Sequence, residues 1–166
     1  MNQSQTNNCL PKGYRLRTGS GRDRALLVKF MHLTYQELFP QQQNFSHLAK
    51  TVERYLSAAT PLWWVETGLK SSQTAATLWM GTAIDQVRGE RYAHIFLIFV
   101  CPEHRRQGIG QGLMQIAEDW AKARGDRQIG IQVFISNQPA LNLYRRLGYN
   151  CQSLSMIKSL SKTNDQ

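Results

Sequence analysis

Hydrophobic positions recur along the chain with two different periods, and the switches between them divide it into elements. Tyr14, Leu16 and Thr18 alternate with Arg15 and Arg17, which predicts a short edge strand. After Gly19-Ser20-Gly21 the period changes. Leu27, Phe30, Met31, Thr34 and Leu38 fall at i, i+3, i+4, i+7 and i+11, one face of a helix over residues 22–38. Phe39 to Asn44, with Pro40 and three glutamines, reads as a loop. Leu48, Val52, Tyr55 and Leu56 mark a second helix, ended by Pro61. Leu62–Thr67 and Ala75–Val87 read as strands, the latter weakened by Gly81. The polar stretch Gly68–Thr74 connects them, and Arg88-Gly89-Glu90 forms a turn.

The second half carries the strongest signals. Tyr92–Val100 is apolar on both alternating faces, as a strand in mid-sheet must be. Pro102 stops it. Ile109, Leu113, Ile116, Ala117 and Trp120 then share one helix face from about Gly108 to Arg124, and Gly125 suits the C-terminal cap. A β run follows over Ile129–Ile135. Pro139 opens a last helix to Leu147, Gly148 ends it, and Tyr149–Ile157 predicts one or two closing strands. Residues 1–12 read as a disordered polar lead-in and 161–166 as a polar tail, leaving a single domain over 13–160. The order is α/β, with mixed connections over one sheet.

Length and charge narrow the function. A chain of 166 residues is one domain's worth and buries enough surface to need no disulfide or metal staple. The longest apolar run, Ile95–Cys101, has seven residues, against the roughly 20 a membrane-spanning helix needs. The N-terminus reads as no secretory signal, and three scattered cysteines read as reduced thiols, so a cytoplasmic location is expected. The formal charge of +9 points to an anionic partner, either nucleic acid or a phosphorylated small molecule.

The candidate chemistry lies between Val100 and Gly112. A buried strand ends there, and Arg105-Arg106-Gln107-Gly108-Ile109-Gly110 leads into an amphipathic helix. Glycines let the backbone approach a ligand, and the free amides of a helix start attract an anion. A Mg-nucleotide loop would need Gly-Lys-Ser/Thr, but Gln111 follows Gly110. A dinucleotide fingerprint would need a small residue where Leu113 stands and an acid after the next strand, which ends in Ser136-Asn137.

Val100-x-Pro102-x-x-Arg105-x-x-Gly108-x-Gly110 resembles the acetyl-CoA motif of the GNAT N-acetyltransferases. Asn137-x-x-Ala140-x-x-Leu143-Tyr144-x-x-Leu147-Gly148-Tyr149 resembles the family's downstream motif, in its order and separation. The resemblance implies a GNAT-type mixed, mostly antiparallel sheet, with a V-shaped splay between the fourth and fifth strands and helices on both faces. It implies acetyl transfer to a primary amine, on a small molecule or at a peptide or protein N-terminus, by direct attack through a tetrahedral intermediate. It also implies acetyl-CoA as cosubstrate and a homodimer as a partner state. By the same resemblance Phe99 and Val100 meet the pantetheine arm, and Arg105, Arg106, Gln107, Gly108, Ile109, Gly110 and Gln111 hold the pyrophosphate. Asn137 and Ala140 lie along the arm, and Tyr144 sits by the sulfur as general acid.

Relatives carry a carboxylate in the fourth strand where Phe96 and Leu97 stand here. His94 is the first substitute base, since imidazole titrates near physiological pH. Glu66, Asp85 and a water chain are alternatives. The four histidines have no metal-ligand spacing, so no metal is expected. An acyl-CoA sensor without a working base is the alternative function. The scattered basic residues argue against nucleic acid, and the short apolar runs against a membrane. The acceptor site is expected from the loop Phe39–Phe45 and the connection Gly68–Thr74.

Overall fold

Strand-forming runs join into a sheet when helices cover what they bury, and the ladder records which face each residue takes. β1 (Tyr14–Thr18), β2 (Leu62–Thr67), β3 (Thr74–Ile84) and β4 (Arg91–Val100) pair antiparallel in that order. β5 (Ile129–Ile131) joins β4 in parallel. The arrangement is that of a computed structural model, which describes residues 9–68 and 72–160. The sheet is mixed and mostly antiparallel, as the family resemblance implies.

One face of the sheet lies under α1 (Arg24–Leu38) and α2 (His47–Tyr55). Leu27, Phe30 and Met31 of α1 and Leu48 and Val52 of α2 bury against Leu62, Trp64, Trp79, Leu97 and Phe99. The Phe30 ring meets Trp64 at 5.2 Å and Phe99 at 5.8 Å. Each such side chain contributes roughly 1.5–3 kcal/mol on burial. α3 (Ile109–Ala123) buries Ile109, Leu113, Met114, Ile116 and Ala117 and packs against β3 and β4. Its Trp120 meets Trp63 at 6.4 Å. Adjacent Trp63 and Trp64 therefore serve opposite faces, as the pleat requires.

Gly81 is explained by packing. A side chain there would collide with the ring of Phe96. Phe96 is the extra residue of a β-bulge, because Trp79 pairs with Leu97 while Met80 pairs with Ile95. The bulge turns Phe96 and Leu97 toward the same apolar cluster, with Phe96 5.1 Å from Trp79.

Three expectations change. β3 ends at Ile84 because Asp85 starts a turn, its Oδ1 accepting from the amides of Val87 at 2.8 Å and Arg88 at 3.3 Å. β5 ends at Ile131 instead of Ile135, since β4 offers it a partner only over Ala93–Ile95. No strand forms over Tyr149–Ile157, where Leu154, Met156 and Ile157 are exposed. The chain divides into two compact units, Met1–Phe134 and Ile135–Gln166. The described part of the second unit holds one helix, α4 (Gln138–Arg146), and no other strand to hydrogen-bond with that segment. Residues 1–8 of the expected lead-in and the expected tail lie outside the described residues. Leu10, in the described part of the lead-in, is buried.

Candidate active site

The bulge and the short β5 together open the sheet. Beyond Ile95 and Ile131 the two strands no longer pair, so Phe96–Val100 has a free inner edge among the described residues. Alternate residues of an antiparallel strand point their amides to opposite neighbours. Thr77 pairs with Phe99, and the Cys101 amide donates to the Ala75 carbonyl at 2.8 Å. Ile98 and Val100 therefore direct their backbone groups into the opening. Phe99 commits its own to β3, and Ile98 is the residue sequence reasoning missed. Its signal is ladder parity, which exists only once strands are paired.

β4 runs into a 3-10 turn, Pro102–His104, and then into a tight reversal. Arg106 (φ 62°) and Gly108 (φ 89°) are left-handed. Gly108 takes this conformation at little cost. The reversal starts α3 at Ile109, and the first intrahelical bond runs from the Gly112 amide to the Gly108 carbonyl at 3.0 Å. The amides of Ile109, Gly110 and Gln111 precede that bond. They form a donor cluster at the positive end of the helix dipole. The residues thus fit a diphosphate.

Arg105 does not lend its charge to this cluster. Its Nε donates to the Val100 carbonyl at 2.8 Å, and its two terminal nitrogens clasp Glu37 at 2.8 and 2.7 Å. The hydrogen bond to Glu37 raises its pKa against the opposing effect of burial. Arg105 is a strut between the end of α1 and the end of β4, and the exposed cation of the turn is Arg106. Glu37 has no sequence signature for this role, because 68 residues separate the pair. Two residues on, Phe39 at the C-cap of α1 meets Phe134 at 4.8 Å. The end of α1 thus touches both arms of the opening.

The base candidates separate by environment. His94 lies on β4 between Tyr92 and Phe96, ring centroids 6.2 and 5.8 Å away. Its Nδ1 is buried without a hydrogen-bond partner, and burial lowers its pKa, which favours neutral imidazole. Glu66 is occupied by Arg17 at 2.6 Å and Arg15 at 3.0 Å. Burial pushes its pKa up, but these arginines outweigh that and hold it below the usual carboxylate range. Asp85 serves its turn. Cys101 is buried, and burial, then Glu103, pushes its thiol up, away from the reactive thiolate.

Beside the loop expected to take the acceptor, Val28, Lys29, His32, Gln43, Asn44 and Phe45 border an open groove of about 600 Å³. Residues 69–71 of the connection expected to join them lie outside the described residues. In the second unit, Asn137 caps α4, its Oδ1 accepting from the Ala140 amide at 3.4 Å. Tyr144 is buried, 6.0 Å from the Tyr149 ring, and burial pushes its phenol up to about 12.

An open parallel pair, a bulged central strand and a left-handed turn into a helix meet at one end of the sheet. The acetyltransferase (GNAT) family model matches residues 28–149, and the chain belongs to that family. The N-alpha-acetyltransferase of Sulfurisphaera tokodaii is 25% identical over 146 residues, 83% of this chain and 81% of that protein. The streptothricin acetyltransferase of Streptomyces lavendulae is 44% identical over 52 residues, 31% of this chain. The chain spans only 28% of the length of that relative. A solved structure, a putative acetyl transferase from Pyrococcus furiosus, superposes with a TM-score of 0.72 at 24% identity, over 89% of this chain and 99% of its own. No described helix is long and apolar enough to cross a membrane.

Proposed function

We propose that residues 13–160 act as one catalytic domain that transfers the acetyl group of acetyl-CoA to a primary amine, at the N-terminus of a peptide or protein. One observation carries this reading: the left-handed turn at Arg106 and Gly108 brings free helix amides to the end of a strand with an open inner edge. The diphosphate takes the amides of Ile109–Gln111 together with Arg106, and the pantetheine arm takes the free backbone of Ile98 and the Val100 amide, the Val100 carbonyl being held by Arg105. The choice of a peptide acceptor is supported by the relative aligned over most of the chain, which is named an N-alpha-acetyltransferase.

The amine must be neutral to attack, and neutral His94 takes its proton. The nitrogen then bonds to the acetyl carbon, and the carbonyl oxygen becomes an oxyanion held by a β4 amide. The C–S bond breaks as that oxygen re-forms its double bond. Tyr144, at about 12, keeps its proton at neutral pH. A thiol near 8.5 is more acidic than such a phenol. Tyr144 therefore stabilises the departing thiolate by donating a hydrogen bond; the acylated nitrogen releases its remaining surplus proton to solvent, and solvent returns one to the thiolate.

The test is turnover of acetyl-CoA with a panel of N-terminal peptides and small amines, followed by release of free thiol. Amine-dependent release with peptides supports the assignment. Release with small amines alone overturns the acceptor. Calorimetric binding of acetyl-CoA without release under any acceptor overturns the catalytic reading in favour of a sensor.

A further inference from the structure

The stretch leading into β1 lies against the diphosphate turn. The Cys9 carbonyl approaches Gly112, in the first turn of α3, so closely that a side chain there would collide with it. Leu10 Cδ2 lies 3.2 Å from the same point, and Pro11 Cγ lies 3.9 Å from where Gly108 would carry a Cβ. Tyr14 then closes the contact. Its phenol oxygen is 2.9 Å from Nδ1 of His104 and 2.9 Å from Oε1 of Gln107. The Tyr14 and His104 rings meet edge to face at 5.7 Å.

His104 and Gln107 bracket Arg105 and Arg106. A phenol has one proton, so when it donates to Gln107 it accepts from the Nδ1–H of His104. Both bonds are then satisfied at once, and the two residues are held at a fixed span. That span contains Arg106, whose left-handed backbone persists only where neighbours over-determine it. Arg105 is anchored through Glu37 and Val100, and Tyr14 anchors the residues flanking the pair.

We propose that Tyr14 is a positioning residue for the coenzyme diphosphate. Its phenol presets the turn so that the first amides of α3 meet the ligand without reorganisation, which removes an ordering cost from binding. The proposal rests on the reading that this turn binds acetyl-CoA. Tyr14 acts through Gln107 and His104 and takes no part in the chemical step.

Calorimetry with coenzyme A on the wild type, Tyr14→Phe, Gln107→Ala and the double variant tests it. Gln107 is exposed, so its variant keeps the fold even where Tyr14→Phe does not. Each single variant is expected to weaken binding about fivefold, the worth of one hydrogen bond, and the double variant no further. In turnover of Tyr14→Phe, KM for acetyl-CoA rises with kcat unchanged. Wild-type affinity in both single variants, additive losses in the double variant, or a fall in kcat matching the rise in KM would each overturn the positioning role. A wild type that does not bind coenzyme A defeats the functional reading itself, and this proposal with it.

Discussion

The turn after β4 and the loop after α1 both lie near the C-terminal end of α1, and they are held in different ways. The turn at residues 102–108 is tied by side chains from far along the chain: Glu37 through Arg105, and Tyr14 through His104 and Gln107, 68 to 93 residues away. The loop after α1 is tied mostly to itself. Gln42 Nε2 donates to the Asn44 carbonyl at 3.0 Å, and the Ser46 amide donates to Asn44 Oδ1 at 2.9 Å, each two residues away. Its longer reach is through aromatic contacts, Phe45 with His32 and Phe39 with Phe134. A turn fixed by distant partners cannot change without disturbing the sheet. A loop fixed by neighbours can. Among the relatives, one is named an N-alpha-acetyltransferase and another a streptothricin acetyltransferase.

Breaking the turn has the largest expected effect. Gly108→Val forces a β-branched residue to φ 89°. That strain is worth ~1–3 kcal/mol, so coenzyme A affinity falls about 5- to 150-fold in calorimetry. His94→Asn lowers kcat about tenfold and removes the acidic limb of the pH–rate profile. The sign follows from burial: His94 must be neutral to act, so activity is lost as pH falls through a value below that of an ordinary imidazole. An unchanged limb in the variant excludes His94 as the base. Tyr144→Phe costs a severalfold loss in kcat with KM for acetyl-CoA kept, since a hydrogen bond to the thiolate is lost and full proton transfer is not.

Unhooking Arg105 comes next. Arg105→Ala weakens coenzyme A binding about fivefold by freeing the Val100 carbonyl and the end of α1. Glu37→Gln costs about twofold, because that half-exposed pair is screened by solvent. The smallest change sharpens the contrast. Gln42→Ala with Asn44→Ala alters KM for the amine a few fold in steady-state kinetics and leaves coenzyme A affinity within about twofold. If the loop variant weakened coenzyme binding as much as Arg105→Ala, the division between the two regions would be wrong.

Local pattern carried much of the fold. The helix faces of Leu27, Phe30 and Met31 and of Ile109, Leu113 and Ile116 read correctly, since a 3.6-residue period needs only near neighbours. β4 read correctly as the mid-sheet strand. Failures fell where an element depends on a partner: β5 shortened where β4 left it, and the strand expected after Tyr149 did not form. At the site, Gly108 was legible because glycine at a strand-to-helix turn carries its own conformational signal. The commitment of Arg105 to Glu37, the engagement of Glu66 by Arg15 and Arg17, and the role of Ile98 were not.

The order of strands and helices, the left-handed turn at Gly108 and the two motifs that resemble the family are set by residues close together in sequence, through backbone preference and periodic burial. Which backbone groups of β4 are free, which arginine is spent on a strut, and which candidate base is left neutral were decided by the tertiary structure. Those outcomes depend on distant groups meeting at hydrogen-bond range and on burial, and neither is set until the sheet and its covering helices are packed.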